Sequence, residues 1–481
     1  MGKYIGMGKG RISFLRGFFA VFGSNFLSLL ISVAITLVFP KILSEIDYSY
    51  FQLYLFYSSF VVFGHLGVVD GIYLRYGGVF YEELQFPLLY SQFKILAVLE
   101  FGIAILLFVI GLHEYDAGKS VVFMICAIAF FLANIRIFYS QLLLTTARMT
   151  EYARVMLLER LVFISLSILY VIFSEINTFE VICLIDLIAR CCSYFYVRNN
   201  MPEIRRHGSV KLKSAVSEIV ANWFSGINLY FSNFASMLSI GIFRFLIENK
   251  WDIITFGKVS LAISAVGAFV ILSNAASLTL FPVMRRIDEK YIKTSFPAIN
   301  DILCYLGMFL QWLYFPLSAL LTLWLPNYTD SFFYMGLLFP MCIYDMKWTS
   351  LESTILKTKR EEKYILYINS ASLLLSIVFG GIIWLGGGTI TNVMIGMVAI
   401  FTCKHIMGLQ ITKKVVSIDK YSLHIEYITV AVVSLYYIIL VNTDAFNGGL
   451  LYGGGVLLLG IWKNNSIRIK FTQVKEMYKN I

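Results

Sequence analysis

Apolar stretches of about 20 residues recur along the whole chain and are separated by short polar connections. A helix of about this length spans the hydrocarbon core of a bilayer. The pattern predicts about fourteen transmembrane helices, centred near residues 27, 60, 101, 133, 163, 188, 231, 268, 311, 344, 374, 400, 432 and 455. We therefore expect an all-α integral membrane protein.

The charged residues give this prediction an orientation. An even number of helices places both termini on one side, and the connections predicted on that side carry most of the Lys and Arg residues. Cytoplasmic loops of membrane proteins are enriched in these residues, so both termini are expected in the cytoplasm. The net charge of +10 follows from the same bias and gives no reason to expect a nucleic-acid partner.

Two sequence matches indicate an internal repeat. SNFLSLL at Ser24–Leu30 returns as SNFASML at Ser232–Leu238, at an offset of 208. At an offset of 211, Asn134, Arg136, Gln141, Arg148 and Glu151 align with Asp345, Lys347, Glu352, Lys359 and Glu362. Six helices lie between the copies, so both enter the membrane from the same side and predict two parallel lobes. The predicted domains are a first lobe (1–200), a cytoplasmic linker (201–216), a second lobe (217–415), two further helices (416–463) and a basic tail (464–481).

Arg136 and Lys347 are the main candidate site residues. Both are predicted at the same depth, roughly 16 Å from the cytoplasmic end of a helix at 1.5 Å per residue. A charged side chain at the centre of a span costs about 2.5 to 3.5 kcal/mol and needs a compensating environment. Contact with an anionic ligand in a hydrated cavity is one interpretation, and pairing with buried carboxylates is the other. The symmetry of the repeat favours ligand contact.

Other charges within the spans extend this candidate site. Arg75, Lys258 and Arg190 are further candidate contacts for an anionic group. Arg75 would alternatively anchor a helix end, and Arg190 would alternatively pair with Asp186, four residues earlier on the same helix face.

Two carboxylates, Glu100 and Asp345, are candidates for coupling to an ion. Glu100 would alternatively pair with a cation on a neighbouring helix. Asp345 lies two positions from Lys347, on a different helix face, and is not expected to neutralise it. Asn134, Gln141, Glu352 and Asp186 are assigned to a supporting polar network.

Glycine and proline mark special positions in the predicted helices. Gly67 and Gly71, four residues apart in helix 2, permit close approach of a neighbouring helix. Pro316 and Pro340 are expected to kink helices 9 and 10.

No metal site, cofactor or catalytic motif is predicted. The seven cysteines all lie in apolar stretches, and no nucleotide-binding or hydrolase motif occurs. The chain is therefore expected not to be an enzyme, and uphill transport would draw on H+, Na+ or the membrane potential.

Several motifs resemble one transporter family. They are GSNFLSLLISVAITLVFPKIL in helix 1, YSYFQLYLFYSSF and LGVVDGIYLRYGG in helix 2, and TARMTEY after helix 4. The chain resembles the bacterial polysaccharide flippases of the Wzx type, within the multidrug/oligosaccharidyl-lipid/polysaccharide exporter superfamily. The resemblance implies alternating access between two bundles in the bacterial inner membrane.

The resemblance also implies a cargo and partners. The cargo would be an undecaprenyl-diphosphate-linked oligosaccharide, such as a repeat unit of O-antigen, lipopolysaccharide, capsule or exopolysaccharide. The implied partners are membrane lipids and the polysaccharide polymerase machinery, and Arg136 and Lys347 would meet the diphosphate. A drug/cation antiporter of the same fold remains the alternative, and a membrane glycosyltransferase, polymerase or ligase is disfavoured by the short external loops.

Overall fold

The computed structural model describes residues 23, 26–27, 29–206, 208–286, 289–418 and 424–462, with side chains except at 271–286, 289, 424 and 460–462. The basic N-terminus and the predicted tail, 464–481, lie outside the described residues. The chain divides into two compact units between Phe234 and Ala235, inside one long helix.

Unit 1 consists of helices and their connections. Its described helices are α1 (Leu29–Ile42), α2 (Glu45–Val61), α3 (Val68–Arg75), α4 (Phe86–Leu112), α5 (Ala117–Thr145), α6 (Met149–Phe173), α7 (Phe179–Asn199), α8 (Glu203–Arg206) and the first part of α9 (Leu212–Lys250). In the most apolar window of each span, 61% of α5 is buried, against 22% of α4 and 17% of α6. The core of unit 1 is therefore built around α5.

Unit 2 also consists of helices and their connections. It contains the rest of α9, then α10 (Ile253–Arg286), α11 (Glu289–Trp324), α12 (Thr329–Leu338), α13 (Met341–Lys347), α14 (Ser353–Thr358), α15 (Glu362–Leu385), α16 (Ile390–Val416), α17 (His424–Asn442) and α18 (Ala445–Trp462). A π-helical turn, Trp348–Glu352, joins α13 to α14.

The prediction of an all-α membrane protein is confirmed. Nine helices among the described residues are long and apolar enough to cross a bilayer, and two further apolar helices are shorter. Each predicted span centre falls in a described helix. The chain is a multi-pass membrane protein.

The first sequence match corresponds to matching helix ends. α1 ends at Ile42 and α9 at Lys250, and the helices that follow them begin at Glu45 and Ile253. Each of these pairs of positions is separated by 208 residues, which is also the offset between the two SNF motifs. The match therefore marks the same helix–turn–helix element in each unit.

The helices that follow these turns are also capped alike. Ser44 Oγ accepts a hydrogen bond from Asp47 N at 3.0 Å at the start of α2, and Asp252 Oδ1 accepts one from Thr255 N at 2.8 Å at the start of α10. Side-chain oxygens of this kind satisfy the free N–H groups of a first turn.

Alignment of the helix starts shifts the second sequence match by one residue. α5 begins at Ala117 and α12 at Thr329, and alignment of these two helix starts pairs Arg136 with Trp348. Lys347, the counterpart expected from the sequence, lies one residue away. In this alignment the positions of the two cations therefore differ by one residue.

The offset between the matching helix ends is one residue larger than the offset between the matching helix starts. α5 ends at Thr145 and α14 at Thr358, and each end is followed by a residue with positive φ, 56° at Ala147 and 57° at Arg360. The π-helical turn at Trp348–Glu352 accounts for the difference, because such a turn inserts one residue into a helix.

Predicted helices 2 and 10 are interrupted. α2 stops at Val61, and α3 starts after Gly67, whose φ of 90° is favourable only for glycine. α12 stops at Leu338, and α13 starts directly after Pro340, so the helix is interrupted where a kink was expected. α11 continues through Pro316.

The close approach predicted at Gly67 and Gly71 is confirmed. A Cβ atom on Gly71 would lie 1.8 Å from the carbonyl oxygen of Asn222 on α9, and one on Gly226 would lie 2.1 Å from the carbonyl oxygen of Gly67. The backbones of α3 and α9 are thus in direct contact within unit 1.

Gly71→Ala should destabilise this contact. The added methyl would overlap backbone atoms that cannot rotate away, and such overpacking costs about 1 to 3 kcal/mol. We expect a lower melting temperature of the purified protein in detergent. Gly102→Ala is the control, because nothing lies within 4 Å of its Cβ position; equal melting temperatures for the two variants would contradict the contact.

Candidate functional site

Arg136 lies on α5 and is 6% exposed. Its Nη1 atom is 3.1 Å from Glu159 Oε2 on α6, and its Nε atom has no hydrogen-bond partner among the described residues. Arg136 is therefore ion-paired, with one donor unused.

Glu159 connects this pair to a second one. Its Oε2 atom accepts a hydrogen bond from Ser193 Oγ on α7 at 3.0 Å, and Ser193 Oγ is also 3.0 Å from the carbonyl oxygen of Arg190. Arg190 Nε is 2.6 Å from Asp186 Oδ2, which confirms the pair expected from their spacing. Tyr54 donates to the same carboxylate at 2.5 Å. Unit 1 thus holds two cations and two carboxylates in one connected, neutral network.

Lys347 lies at the end of α13 and is completely buried. Its Nζ atom donates to Glu426 Oε2, on the first turn of α17, at 2.8 Å. Glu426 also accepts a hydrogen bond from Asn300 Nδ2 of α11 at 2.8 Å. The buried cation of unit 2 therefore binds to one of the two helices that follow the repeat.

His405 on α16 joins this pair to Glu352. Its Nε2 atom is 3.0 Å from Glu426 Oε2, and its Nδ1 atom is 2.5 Å from Glu352 Oε1. We call Lys347, Glu352, His405 and Glu426 the His405 cluster.

Two local features position Glu352. It ends the π-helical turn, and such turns shift the following residues around the helix axis. Gly408 leaves room for its carboxylate, because a Cβ atom there would lie 2.2 Å from Glu352 Oε2. Sequence reasoning placed Glu352 in a supporting network, and the structure places it in direct contact with His405.

Asp345 does not neutralise Lys347, as predicted. Its Oδ2 atom is buried without a hydrogen-bond partner among the described residues. Lys404, on α16, donates instead to Ser236 Oγ at 2.9 Å and lies 5.1 Å from the ring centre of Trp348.

Arg75 and Lys258 are ion-paired as well. Arg75 Nη1 is 2.6 Å from both Glu218 Oε1 and Asn222 Oδ1, so it links α3 to α9. This contact supports the anchoring interpretation. Lys258 Nζ is 2.8 Å from Asp330 Oδ2.

Glu100 differs from these charges. It is 2% exposed on α4 and has no ion-pair or hydrogen-bond partner among the described residues, so pairing with a neighbouring cation is not observed. Of the other predicted network residues, Asn134 donates to the carbonyl oxygens of Val61 and Phe130, both at 2.8 Å. Gln141 is half-buried on α5.

Unit 1 also contains an open cavity of about 430 Å³ at its helix ends. It is lined by Phe80, Tyr81, Glu82, Thr146, Arg148, Asn200 and Glu203. Arg148 is paired with Glu151 and lies 4.4 Å from the ring centre of Tyr81. The motif TARMTEY therefore contributes to the wall of a polar cavity.

Glu426 is the functional candidate that sequence reasoning missed. It begins the apolar segment of α17, where a carboxylate is as unusual as a cation, and this was the available signal. The pairing of Glu159 with Arg136 is not visible in the sequence either, because the two residues lie on different helices.

Solved structures share this fold. The lipid II flippase MurJ, in an inward closed conformation, matches with a TM-score of 0.66 and 14% identity over 94% of this chain and 100% of that one. An inward-facing multidrug resistance MATE family transporter of the MOP superfamily matches with a TM-score of 0.56 and 12% identity over 81% of this chain and 98% of that one. A MOP superfamily transporter from Pyrococcus furiosus matches with a TM-score of 0.51 and 12% identity over 85% of this chain and 96% of that one.

No protein-family model matches the chain, and no curated protein matches it by sequence. At these identities the structural matches establish the fold alone, which the chain shares with the MurJ flippase and the MATE transporter. The expectation of a transporter rather than an enzyme agrees with these neighbours, each described as a flippase or a transporter.

Proposed function

We propose that the protein is a flippase for a lipid-linked oligosaccharide, carried on undecaprenyl diphosphate from the inner to the outer leaflet of the bacterial inner membrane. Both termini would lie in the cytoplasm, and transport would follow alternating access. The observation that carries the proposal is that each unit holds a buried cation, Arg136 or Lys347, paired with one carboxylate among the described residues.

The last two helices support a flippase over a drug transporter. The match to MurJ covers 94% of this chain, and α17 and α18, with 19 and 18 residues, together exceed the part that it leaves unmatched. That match therefore includes part of this helix pair. α17 also supplies Glu426, the partner of Lys347. A helix pair outside the repeat is thus connected to the proposed cargo site.

The charges suit an anionic cargo. Phosphate oxygens are strong acceptors for Arg and Lys, and Arg binds them in a two-pronged geometry. In the described state both cations are neutralised, so the diphosphate would have to replace Glu159 and Glu426. Moving about two negative charges outward, with the inside negative, gains roughly 2.3 kcal/mol per charge per 100 mV.

A drug/cation antiporter is the second candidate, and Glu100 is the observation that favours it. This carboxylate is buried in unit 1 and has no partner among the described residues. Such a group would suit a cationic substrate or a coupling ion.

The two functions can be distinguished with purified protein in vesicles. We expect the protein to move a fluorescent undecaprenyl-diphosphate oligosaccharide between leaflets, measured by its accessibility to an added glycosidase, and not to accumulate a cationic dye. Empty vesicles and vesicles with an unrelated membrane protein are the controls. Dye accumulation without movement of the lipid would favour the antiporter. Deletion of the gene should also cause the lipid-linked oligosaccharide to accumulate.

A further inference from the structure

His405 lies between two carboxylates, and both of its ring nitrogens face an oxygen atom. The Nδ1 atom is 2.5 Å from Glu352 Oε1, and the Nε2 atom is 3.0 Å from Glu426 Oε2. His405 is 2% exposed and Glu352 is fully buried, so water does not separate these atoms. Both pairs of atoms are close enough for a hydrogen bond, which N–H and O form at up to about 3.2 Å.

This geometry fixes the number of protons in the cluster. A neutral imidazole has one N–H donor and one lone pair, and an ionised carboxylate has only lone pairs. With a neutral ring and two ionised carboxylates, one of the two contacts would place lone pair against lone pair. One additional proton makes both contacts hydrogen bonds, and we place it on the second ring nitrogen because imidazole is more basic than a carboxylate.

Charge balance requires the same proton. Lys347 carries one positive charge, and Glu352 and Glu426 carry two negative charges between them. With the additional proton the cluster is neutral, and without it a net negative charge remains buried, which is costly in a medium of low polarity. The loss of the proton is therefore expected to break one of the contacts of His405.

We propose that the His405 cluster binds one exchangeable proton, and that this proton holds α17 against α16 and the π-helical turn. His405 belongs to α16, Glu352 to the turn and Glu426 to α17, so all three elements meet at the site. Together with the proposed function, on which this step rests, the proton would serve as the coupling ion. Its release would free Glu426, and with it Lys347, at the point of the cycle where the cargo binds.

Other titratable and charged groups surround the cluster. On α13, the Tyr344 ring centre is 5.8 Å from that of His405, and Asp345 follows it in sequence. Lys404 precedes His405 on α16 and donates to Ser236. On α11, Cys304 is 2.9 Å from Thr429 Oγ1 of α17. The contacts of the two ring nitrogens of His405 are with Glu352 and Glu426. We therefore assign the titration to Glu352, His405 and Glu426.

The test uses the full chain in lipid bilayers without cargo. Solid-state NMR of 15N-labelled histidine would follow the rings from pH 5 to pH 9, with the His405 signal assigned by its loss in His405→Gln. We expect one step from a doubly protonated to a neutral ring. Glu352→Gln should lower the midpoint by at least about one pH unit, because it removes a negative charge beside the ring. His113→Gln, at the exposed end of α4, should leave the step unchanged.

Hydrogen exchange provides the second measurement. Above the midpoint, amides in the first turns of α17 should exchange faster in the wild type than below it, after correction for the intrinsic rates, and His405→Gln should remove this difference. The proposal would be overturned if the His405 ring kept one charge state from pH 5 to pH 9. It would also be overturned if hydrogen exchange in α17 did not change at the midpoint of the titration. Because no cargo is present, failure of the flippase assay and failure of the proton site would be distinct results.

Discussion

Lys347→Met is expected to abolish transport and to destabilise the protein by about 3 to 5 kcal/mol, the usual cost of leaving a buried charge without its partner. Lys347 is completely buried and Glu426 is its ion-pair partner. Removing its charge leaves His405 as the remaining basic group of the cluster beside Glu352 and Glu426. The measurements are the vesicle flipping assay and thermal unfolding of the purified protein.

A double variant separates stability from function. Lys347→Met combined with Glu426→Gln removes both charges of the pair, and replacing a buried pair together is often close to neutral for stability. We expect it to regain most of the lost stability but no transport, because the cation that we propose to bind the cargo in unit 2 is missing. Lys414→Ala, at an exposed position on α16, is the control for losing a lysine. Normal transport by the double variant would show that Lys347 does not contact the cargo.

The spans were predictable because their signal is local. The length of an apolar stretch is enough to identify a span, because a helix of about 20 residues crosses the bilayer. The predicted centres therefore coincide with described helices, including the short α18. The pair Asp186–Arg190 was predictable for the same reason, since four residues on one helix bring two side chains together.

The partners of the main site residues were not predictable, because they depend on which helices are neighbours. Arg136 and Glu159 lie on different helices, as do Lys347 and Glu426. The spacing along the chain carries no information about either contact. The prediction that favoured ligand contact over pairing therefore stays a proposal, and pairing is what the structure shows.

The offset of 211 residues predicted from the sequence differs by one residue from the offset between the helix starts, Ala117 and Thr329. The π-helical turn at Trp348–Glu352 follows Lys347, so it does not cause this difference; it adds the further residue by which the helix ends are offset. One residue corresponds to about 100° around a helix. With the helix starts aligned, Arg136 and Lys347 therefore differ by about this angle around their helices.

Arg136→Lys tests whether the cation of unit 1 recognises phosphate. A lysine keeps the charge and can pair with Glu159, so we expect stability close to that of the wild type. It lacks the planar fork with which arginine binds two oxygens at once, and in the wild type the Nε atom of that fork is unused. We therefore expect flipping to fall by about tenfold, which corresponds to a loss of about 1.4 kcal/mol in the transition state.

The control for Arg136 lies on the neighbouring helix. Arg160→Ala removes an exposed arginine next to Glu159 and should change neither flipping nor stability. Arg136→Ala, by contrast, should lose flipping and about 3 to 5 kcal/mol of stability, because Glu159 stays buried without a cation. If Arg136→Lys flips at the wild-type rate while Arg136→Ala is only unstable, then Arg136 serves to pair with Glu159, and the phosphate contact must lie elsewhere. If both variants lose flipping while only Arg136→Ala loses stability, the guanidinium itself is required by the cargo.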